Sequence, residues 1–315
     1  MLPSILSLAL LLAAIYILLP CTNKILAVAH DVVEDCHPGF RHQGHCPWTC
    51  HWNCRRWYFV CFPNNCYEYQ LIKRSYEGYS PEYQYISPAP ITVGWLTPED
   101  LSNGFVDPSL YATPDIICHV GATNAQIEAP VKGGGIVEFQ WTAWPVSHHG
   151  PMISYLANCN GPCETVDKTT LEWFKIDEVG LIDPTVVDGY WGSDVLIANN
   201  NSWQVVIPST IKTGNYVVRH ETIALHSAGT VGGAQVYPFC LNLAITSSGS
   251  DSPAGVSAET IYDENSPSLV YNIYATPPLP AYTIPGPALY SGAVTMSQSL
   301  PAAPTASASG IYTVS

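Results

Sequence analysis

The run Asn215-Tyr-Val-Val-Arg-His-Glu-Thr-Ile-Ala-Leu-His226 is the longest of several short segments rich in β-branched and aromatic residues. Such residues favour strands, whereas Gly, Pro and Asn mark turns. Gly-, Pro- and Asn-rich loops separate this run from five shorter ones, at 136–141, 170–176, 202–207, 240–246 and 269–274. No long amphipathic helix stands out. The pattern predicts an all-β fold, either an antiparallel sandwich or a barrel.

The composition limits what the chain binds. Of 315 residues, 47% are hydrophobic and only 11% are charged, which suffices for a large core. The net charge of −14 argues against nucleic acid, because phosphates need a basic surface. A surface rich in hydroxyl and amide side chains suits an uncharged, hydroxyl-rich partner such as a polysaccharide.

Residues 1–29 have the pattern of a secretory signal peptide. An apolar run from Ile5 to Leu19 is followed by Ala27-Val-Ala29, the small-residue arrangement typical of a cleavage site. The alternative is a retained membrane anchor. Cleavage after Ala29 would make His30 the first residue of a secreted protein, in a compartment that permits disulfides.

Residues 31–75 differ from the rest of the chain. They hold six of the eleven cysteines and five of the eleven lysines and arginines. Three interpretations compete: a disulfide-stapled insertion, a Cys/His metal cluster, and an intron translated through a wrong gene structure. The spacing Cys46-x3-Cys50-x3-Cys54 differs from that of zinc knuckles, which makes the metal cluster the weakest of the three.

The stretch Trp144-Pro-Val-Ser-His148-His149-Gly150 carries the chemistry of interest. Neutral imidazole is the commonest metal ligand in proteins and suits copper, zinc, iron and nickel. Two histidines before a glycine also occur as plain polar turn residues. More distant motifs in the sequence favour the interpretation of these histidines as part of a metal site.

Those motifs resemble a known family. They include Tyr76-Glu-Gly-Tyr79, Pro114-Asp-Ile-Ile-Cys118-His119, the histidine stretch, and the run from Arg219 to Tyr237. In this order they resemble the fungal cellulose-active lytic polysaccharide monooxygenases of auxiliary activity family nine, formerly glycoside hydrolases. The likeness runs from Tyr76 to Pro287 and implies an immunoglobulin-like antiparallel β-sandwich with long loops.

The resemblance implies one copper ion in a histidine brace. Its ligands are the terminal amine and ring of His30 and the ring of His148, with Tyr237 at the axial position. A free α-amine has a pKa of roughly 8, so copper displaces its proton readily. Nitrogen ligands also suit Cu(II), which binds tightest in the divalent series. An internal His30 could not supply the amine, so signal cleavage would be part of the chemistry.

The resemblance assigns further roles. His226 and Gln235 would position the oxygen species, while His149, His119 and His220 would be structural. Tyr85 and Tyr274 would face the sugar rings. The expected disulfides are Cys118–Cys240 and Cys159–Cys163, since spacing alone leaves the pairing open. Asn200-Asn-Ser202 is a glycosylation sequon.

The N-terminus departs from the family pattern. The family begins His-Gly and continues through one strand to Tyr-x-Gly-Tyr, whereas Asp31 and the Cys-rich segment follow His30 here. We favour the intron interpretation, because a strand that begins at a metal ligand should not tolerate such an insertion.

Two functional hypotheses follow. The first is a copper monooxygenase, a monomer that cleaves cellulose or a related β-1,4-glucan with an external electron donor and O2 or H2O2. The second is a catalytically inactive secreted protein that binds cellulose or copper, because its N-terminal metal site is disrupted. A domain over 30–292 and a Ser/Ala/Pro/Thr-rich tail at 293–315 complete the predicted organisation.

Overall fold

The structure, a computed structural model, describes residues 91–100 and 104–298, and the backbone of four strands nearer the N-terminus. Those four are β1 (Leu26–His30), β2 (Tyr58–Phe62), β3 (Asn65–Tyr69) and β4 (Lys73–Glu77). β2 and β3 form a separate antiparallel hairpin in which Cys61 lies opposite Cys66. Most of the predicted signal peptide and most of the Cys-rich segment lie outside the described residues.

Within residues 91–100 and 104–298 the structure has ten further strands and two short helices. The strands are β5 (Ala129–Lys132), β6 (Ile136–Gln140), β7 (Met152–Asn158), β8 (Glu172–Val179), β9 (Leu181–Asp183), β10 (Tyr190–Trp191), β11 (Ser202–Val206), β12 (Gly214–Ala224), β13 (Gln235–Thr246) and β14 (Val256–Ser257). The helices are α1 (Asp115–Cys118) and α2 (Gly192–Ala198), and four 3₁₀ turns occupy 108–110, 163–165, 168–170 and 258–260. No helix in the described residues is long and apolar enough to cross a membrane.

Two sheets form the predicted sandwich. One has four antiparallel strands in the order β11-β6-β1-β4, and the other has six in the order β14-β8-β7-β12-β13-β5. All pairs are antiparallel except β13 with β5, which is parallel. The fold class predicted from the sequence is confirmed.

The core between the sheets is apolar. It contains side chains from both sheets, among them Phe139 and Trp203 of the four-stranded sheet and Leu156 and Phe174 of the six-stranded sheet. Sheets that pack face to face interdigitate their inner side chains in this way. Asp177 accepts a hydrogen bond from Trp203 Nε1 at 2.8 Å, which links the two sheets across this core.

A second apolar cluster covers the other face of the six-stranded sheet. There Tyr155, Val217 and Ile223 pack against long loops that contribute Trp95, Tyr262 and other buried residues. This sheet is therefore buried on both faces, which accounts for the nearly continuous apolar sequence of β7, where six of seven residues are buried. Strands buried on both faces lose the alternation of polar and apolar residues.

The segment 269–274 is not a strand, and its prediction was wrong. Leu269, Tyr271 and Ile273 are buried in alternation, as in a strand. However, the backbone N–H groups of Leu269 and Val270 both donate to Ser266 O, and that of Tyr274 donates to the Asn272 side chain. Local turns satisfy these donors, so the alternation reflects a loop that lies on the sheet.

Candidate metal centre

The loop between β6 and β7 carries His148 and fixes it by hydrogen bonds within the loop. Trp144 Nε1 donates to His148 O at 2.9 Å, and His148 N donates to Pro145 O at 3.0 Å. Ser147 Oγ lies 3.1 Å from His148 Nδ1. With Nδ1 engaged, Nε2 is the ring nitrogen that His148 presents to a ligand.

The ring of His226 packs against the ring of His148. His226 lies two residues after the end of β12, and its ring stacks on that of His148 with centroids 4.0 Å apart and planes inclined by 30°. His226 Nδ1 is buried and has no hydrogen-bond partner among the described residues. A buried polar atom without a partner is uncommon and often marks a functional site.

Gln235 and Tyr237 begin β13 and lie two residues apart, so their side chains share one face of the strand. Tyr237 Oη donates to Gln235 Oε1 at 2.7 Å. The Tyr237 ring is in edge contact with Trp144 at 4.9 Å and packs near Phe105 at 6.0 Å. The phenol is thereby held by a hydrogen bond at its tip and by aromatic rings along its body.

Trp144 joins the two halves of the site, a role that the sequence did not reveal. Its ring makes edge contacts with both His148, at 5.5 Å, and Tyr237. Its backbone N–H donates to Asn201 Oδ1 at 3.0 Å, which ties the loop to the turn before β11. Its position four residues before His148 was the only available signal.

His149 points away from this cluster. Its Nδ1 lies 3.0 Å and 3.1 Å from the two carboxylate oxygens of Asp194, near the start of α2. The next residue, Gly150, has no room for a side chain, because a Cβ there would lie 1.7 Å from Ile223 O. The motif's second histidine and its glycine therefore attach the loop to its neighbours.

Burial keeps the two stacked histidines neutral. Desolvation lowers the pKa of His148, and the neighbouring His226 and His149 lower it further. Desolvation also lowers the pKa of His226. The hydrogen bond to Asp194 instead raises the pKa of His149, and burial raises the pKa of Tyr237 to about 12. At neutral pH His148 has the neutral ring that binds metals.

These donors fit a copper site in part. Neutral imidazole suits Cu(II), and the phenol of Tyr237, which contacts the same Trp144 ring as His148, would add an oxygen donor. No group of three His, Cys, Asp or Glu side chains suited to a metal occurs within 91–100 and 104–298. The described residues thus supply His148 and Tyr237, and a complete brace needs the amine and ring of His30 as well.

The structure does not place His30 beside His148. The His30 backbone pairs with Ile136, the first residue of β6, whereas the histidine loop leaves from the last residue, Gln140. Four strand steps of about 3.3 Å separate these positions. The His30 side chain lies outside the described part of the structure.

The other predicted residues lie in several separate parts of the chain. Tyr274 is 58% exposed and lies in the loop after Tyr271, and Tyr85 lies outside the described residues. Asn200 is exposed in the turn between α2 and β11, with a positive φ of 57°. Both predicted disulfides, Cys118–Cys240 and Cys159–Cys163, are present. His119 and His220 are buried, as expected for structural histidines.

Comparison with known proteins points to one family. The family model of Auxiliary Activity family 9 (formerly GH61) matches residues 67–282, starting before Tyr76, where the sequence resemblance begins. AA9 family lytic polysaccharide monooxygenase I of Botryotinia fuckeliana is 68% identical over 241 residues, 76% of this chain and 89% of its own length. Monooxygenase A of Thermoascus aurantiacus is 55% identical over 70% of this chain and 95% of its own length.

Solved structures of lytic polysaccharide monooxygenases are also similar to this chain. The extended catalytic domain of H. jecorina LPMO9A, also known as EG4, has a TM-score of 0.70 at 52% identity and covers 74% of this chain and 93% of its own. A cellulose-active polysaccharide monooxygenase from M. thermophila has a TM-score of 0.60 at 30% identity, over 69% of this chain and 94% of its own.

Proposed function

Because the chain belongs to Auxiliary Activity family 9 and is a lytic polysaccharide monooxygenase, we propose that it oxidises cellulose or a related β-1,4-glucan with one copper ion. The proposed reaction inserts oxygen into a C–H bond beside the glycosidic bond. It uses electrons from an external donor and O2 or H2O2 as the oxidant. We also propose that the protein is a secreted monomer, glycosylated at Asn200.

One observation supports the copper proposal most directly. His148 and His226 stack at 4.0 Å, and the Trp144 ring lies between His148 and the Tyr237–Gln235 pair. The neutral ring of His148 and the phenol of Tyr237 are the donors that would hold copper from this side. Copper, when bound, supplies the one-electron redox chemistry needed to activate the oxidant.

The protein's own residues prepare this site. Ser147 Oγ lies 3.1 Å from His148 Nδ1, and Trp144 Nε1 donates to the His148 backbone carbonyl, which supports the proposal that the ring presents Nε2 to copper. We propose that His226 and Gln235 bind the oxidant by hydrogen bonds next to His148. The buried Nδ1 of His226, which lacks a partner among the described residues, and the amide of Gln235 are suitable groups. Tyr237 keeps its proton at neutral pH, because burial raises its pKa to about 12.

Exposed side chains on the surrounding loops suit a sugar surface. Val146, two residues before His148, is 72% exposed, and Val231, between His226 and Gln235, is 52% exposed. Tyr274 offers an exposed ring that can stack on a sugar. We propose that Tyr274, with Tyr85, contacts the glucan.

The proposal requires processing at the N-terminus. Cleavage after Ala29 would free the amine of His30 and remove four of the five residues of β1, the strand between β6 and β4. We propose that residues after His30 then pair with β6 in their place, with His30 at the Gln140 end. Sequencing the transcript across residues 30–76 and the N-terminus of the secreted protein would test this. A mature chain that begins elsewhere contradicts the brace.

The activity is tested by mass spectrometry of soluble products from cellulose. We expect oxidised cello-oligosaccharides only with copper and a reductant. His148→Ala should abolish tight copper binding and turnover together, because it removes a ligand nitrogen. Gln235→Ala or His226→Ala should retain copper and slow oxidation by about ten- to a hundred-fold, the usual effect of losing a residue next to the ligands.

Matched controls separate binding from oxidation. Tyr274→Ala should weaken cellulose binding and leave the Cu(II) spectrum unchanged, while Val187→Ala, at another exposed apolar residue, should change neither. Products that are only unoxidised sugars, or that form equally well without copper, would contradict the proposal. The inactive binding protein would then be the better interpretation.

A further inference from the structure

We propose that Asp194 is a positioning residue for the histidine loop, acting through His149 on the backbone that carries His148. His149, the second histidine of the motif, has no part in the proposed oxidation. It nevertheless contacts Asp194, 45 residues further along the chain. The inference about the loop rests on geometry alone. Its consequence for copper rests on the proposed function.

The Asp194 carboxylate is a well-anchored acceptor. It accepts the Trp191 N–H at 2.7 Å, the bond that starts α2, and it accepts His149 Nδ1–H at 3.0 Å. The two side chains of the pair are 15% and 17% exposed, so water competes weakly for the bond. A charge-assisted hydrogen bond of this kind is about twice as strong as a neutral one.

The backbone around His149 is bound to two elements. On the α2 side, Gly150 N donates to Ser193 Oγ at 3.0 Å and Ser193 N donates to Gly150 O at 3.1 Å. On the β12 side, Leu225 N donates to His149 O at 2.8 Å. His148 and His226 are the next residues along the chain from these anchors. The His149–Asp194 bond therefore holds the segment that sets the spacing of the stacked rings.

The direct test is amide hydrogen exchange in the copper-free protein. Asp194→Ala removes both acceptor oxygens and should speed exchange at Gly150 and Leu225 by about tenfold, while the centre of β12 keeps its protection. Asp194→Asn keeps an amide oxygen for both donors but loses the charge, so its exchange rates should lie between those of Asp194→Ala and the unmutated protein. Asp167→Ala is the control for loss of a capping carboxylate elsewhere, because Asp167 accepts from Thr169 N at 3.0 Å at the start of the 168–170 turn and has no hydrogen bond to a histidine among the described residues.

A second pair of variants covers the case in which Asp194→Ala does not fold. His149→Ala breaks the same contact and leaves Asp194 on Trp191 N, so it should reproduce the faster exchange. In a double-mutant cycle, Asp194→Ala should add little at Gly150 once His149 is already replaced. Unchanged exchange in the variants that fold, or an equal effect of Asp167→Ala, would overturn the proposal.

Copper gives the functional measurement. Asp194→Ala should weaken Cu(II) binding by about tenfold and change the hyperfine splitting in the EPR spectrum, and Asp194→Asn should restore part of both. If Asp194→Ala loosens the loop but copper binding and the spectrum stay unchanged, the proposed effect of Asp194 on copper is wrong. If the unmutated protein binds no copper at all, the proposed function fails. The exchange experiment still decides whether Asp194 positions the loop.

Discussion

Both faces of β12 bury ionisable side chains almost completely. The groups that surround these side chains differ between the two faces. On the face towards the four-stranded sheet, His220 is 1% exposed, stacks on Phe139 at 4.2 Å and contacts Ser154 Oγ at 2.9 Å. On the face beneath the loops, Arg219 and Glu221 are fully buried and form an ion pair at 2.8 Å. One face holds a neutral group, and the other pairs opposite charges.

The difference follows from the elements that pack against each face of β12. The inner face meets another sheet, whose side chains are apolar and whose backbone groups are already paired. The outer face meets loops, which offer carbonyl groups: Arg219 donates from Nε to Ile117 O and from Nη2 to Ile116 O. Tyr262 Oη completes the network by donating to Glu221 and accepting from Arg219 Nη1. A buried charge is tolerable only where such partners exist.

The largest expected effect is the acid sensitivity that His220 confers. Desolvation lowers the pKa of His220 from 6.5 to about 3. Between these two pH values the unfolded chain therefore binds a proton that the folded chain does not bind. The free energy of unfolding should therefore fall by about 5 kcal/mol as the pH drops from well above 6.5 to well below 3, and about 2 kcal/mol of this is lost by pH 5. Urea unfolding at several pH values measures this. His220→Phe should remove that slope, and an unchanged slope would contradict the assignment.

Breaking the ion pair should have the next largest effect. Arg219→Ala leaves Glu221 buried without its cation, and we expect a loss of about 3–5 kcal/mol in the free energy of unfolding at pH 7. The double variant Arg219→Met with Glu221→Leu leaves no unpaired charge and should be less destabilised than Arg219→Ala. A loss below about 1 kcal/mol for the single variant would show that the pair contributes little.

Asp177 should show the opposite pH dependence to His220. It lies between the sheets, and burial raises its pKa from 3.8 to about 6. The folded protein therefore keeps a proton that the unfolded chain releases, and about 3 kcal/mol of stability present below pH 3.8 is lost as the pH rises through 6. Asp177→Asn keeps an acceptor for Trp203 and should be more stable than the unmutated protein at pH 7. Equal stability at pH 7 would contradict this.

The smallest effect concerns the hydroxyl of Tyr262. Tyr262→Phe removes one contact to each partner of the ion pair and should lower the free energy of unfolding by about 2 kcal/mol. Tyr282→Phe is the matched control, because its hydroxyl donates to an uncharged carbonyl, Ser268 O, at 2.9 Å. We expect about 1 kcal/mol there. Equal losses would show that the charges add nothing to the tyrosine's hydrogen bond.

The sequence determined most of the sandwich. Five of the six predicted strand segments are strands in the structure, within a few residues at their ends, because alternating or β-branched runs report local preference and one-sided burial. Between residues 91 and 298 the prediction missed the strands β5, β7, β9, β10 and β14. The omission of β7 and the wrong prediction of 269–274 share one reason. Both depend on the layer of loops that covers the outer face, and no local pattern shows which segments lie in that layer.

The candidate site divides in the same way. Family motifs in the sequence singled out His148, His226, Gln235 and Tyr237, and their roles at copper remain predictions. Only the tertiary structure showed that Trp144 bridges His148 and Tyr237 and that Asp194 holds His149. Motifs mark residue types at fixed spacing along the chain. The contacts of Trp144 with Tyr237 and of Asp194 with His149 join residues brought together by the path of the chain through two sheets and a helix, which spacing alone does not encode.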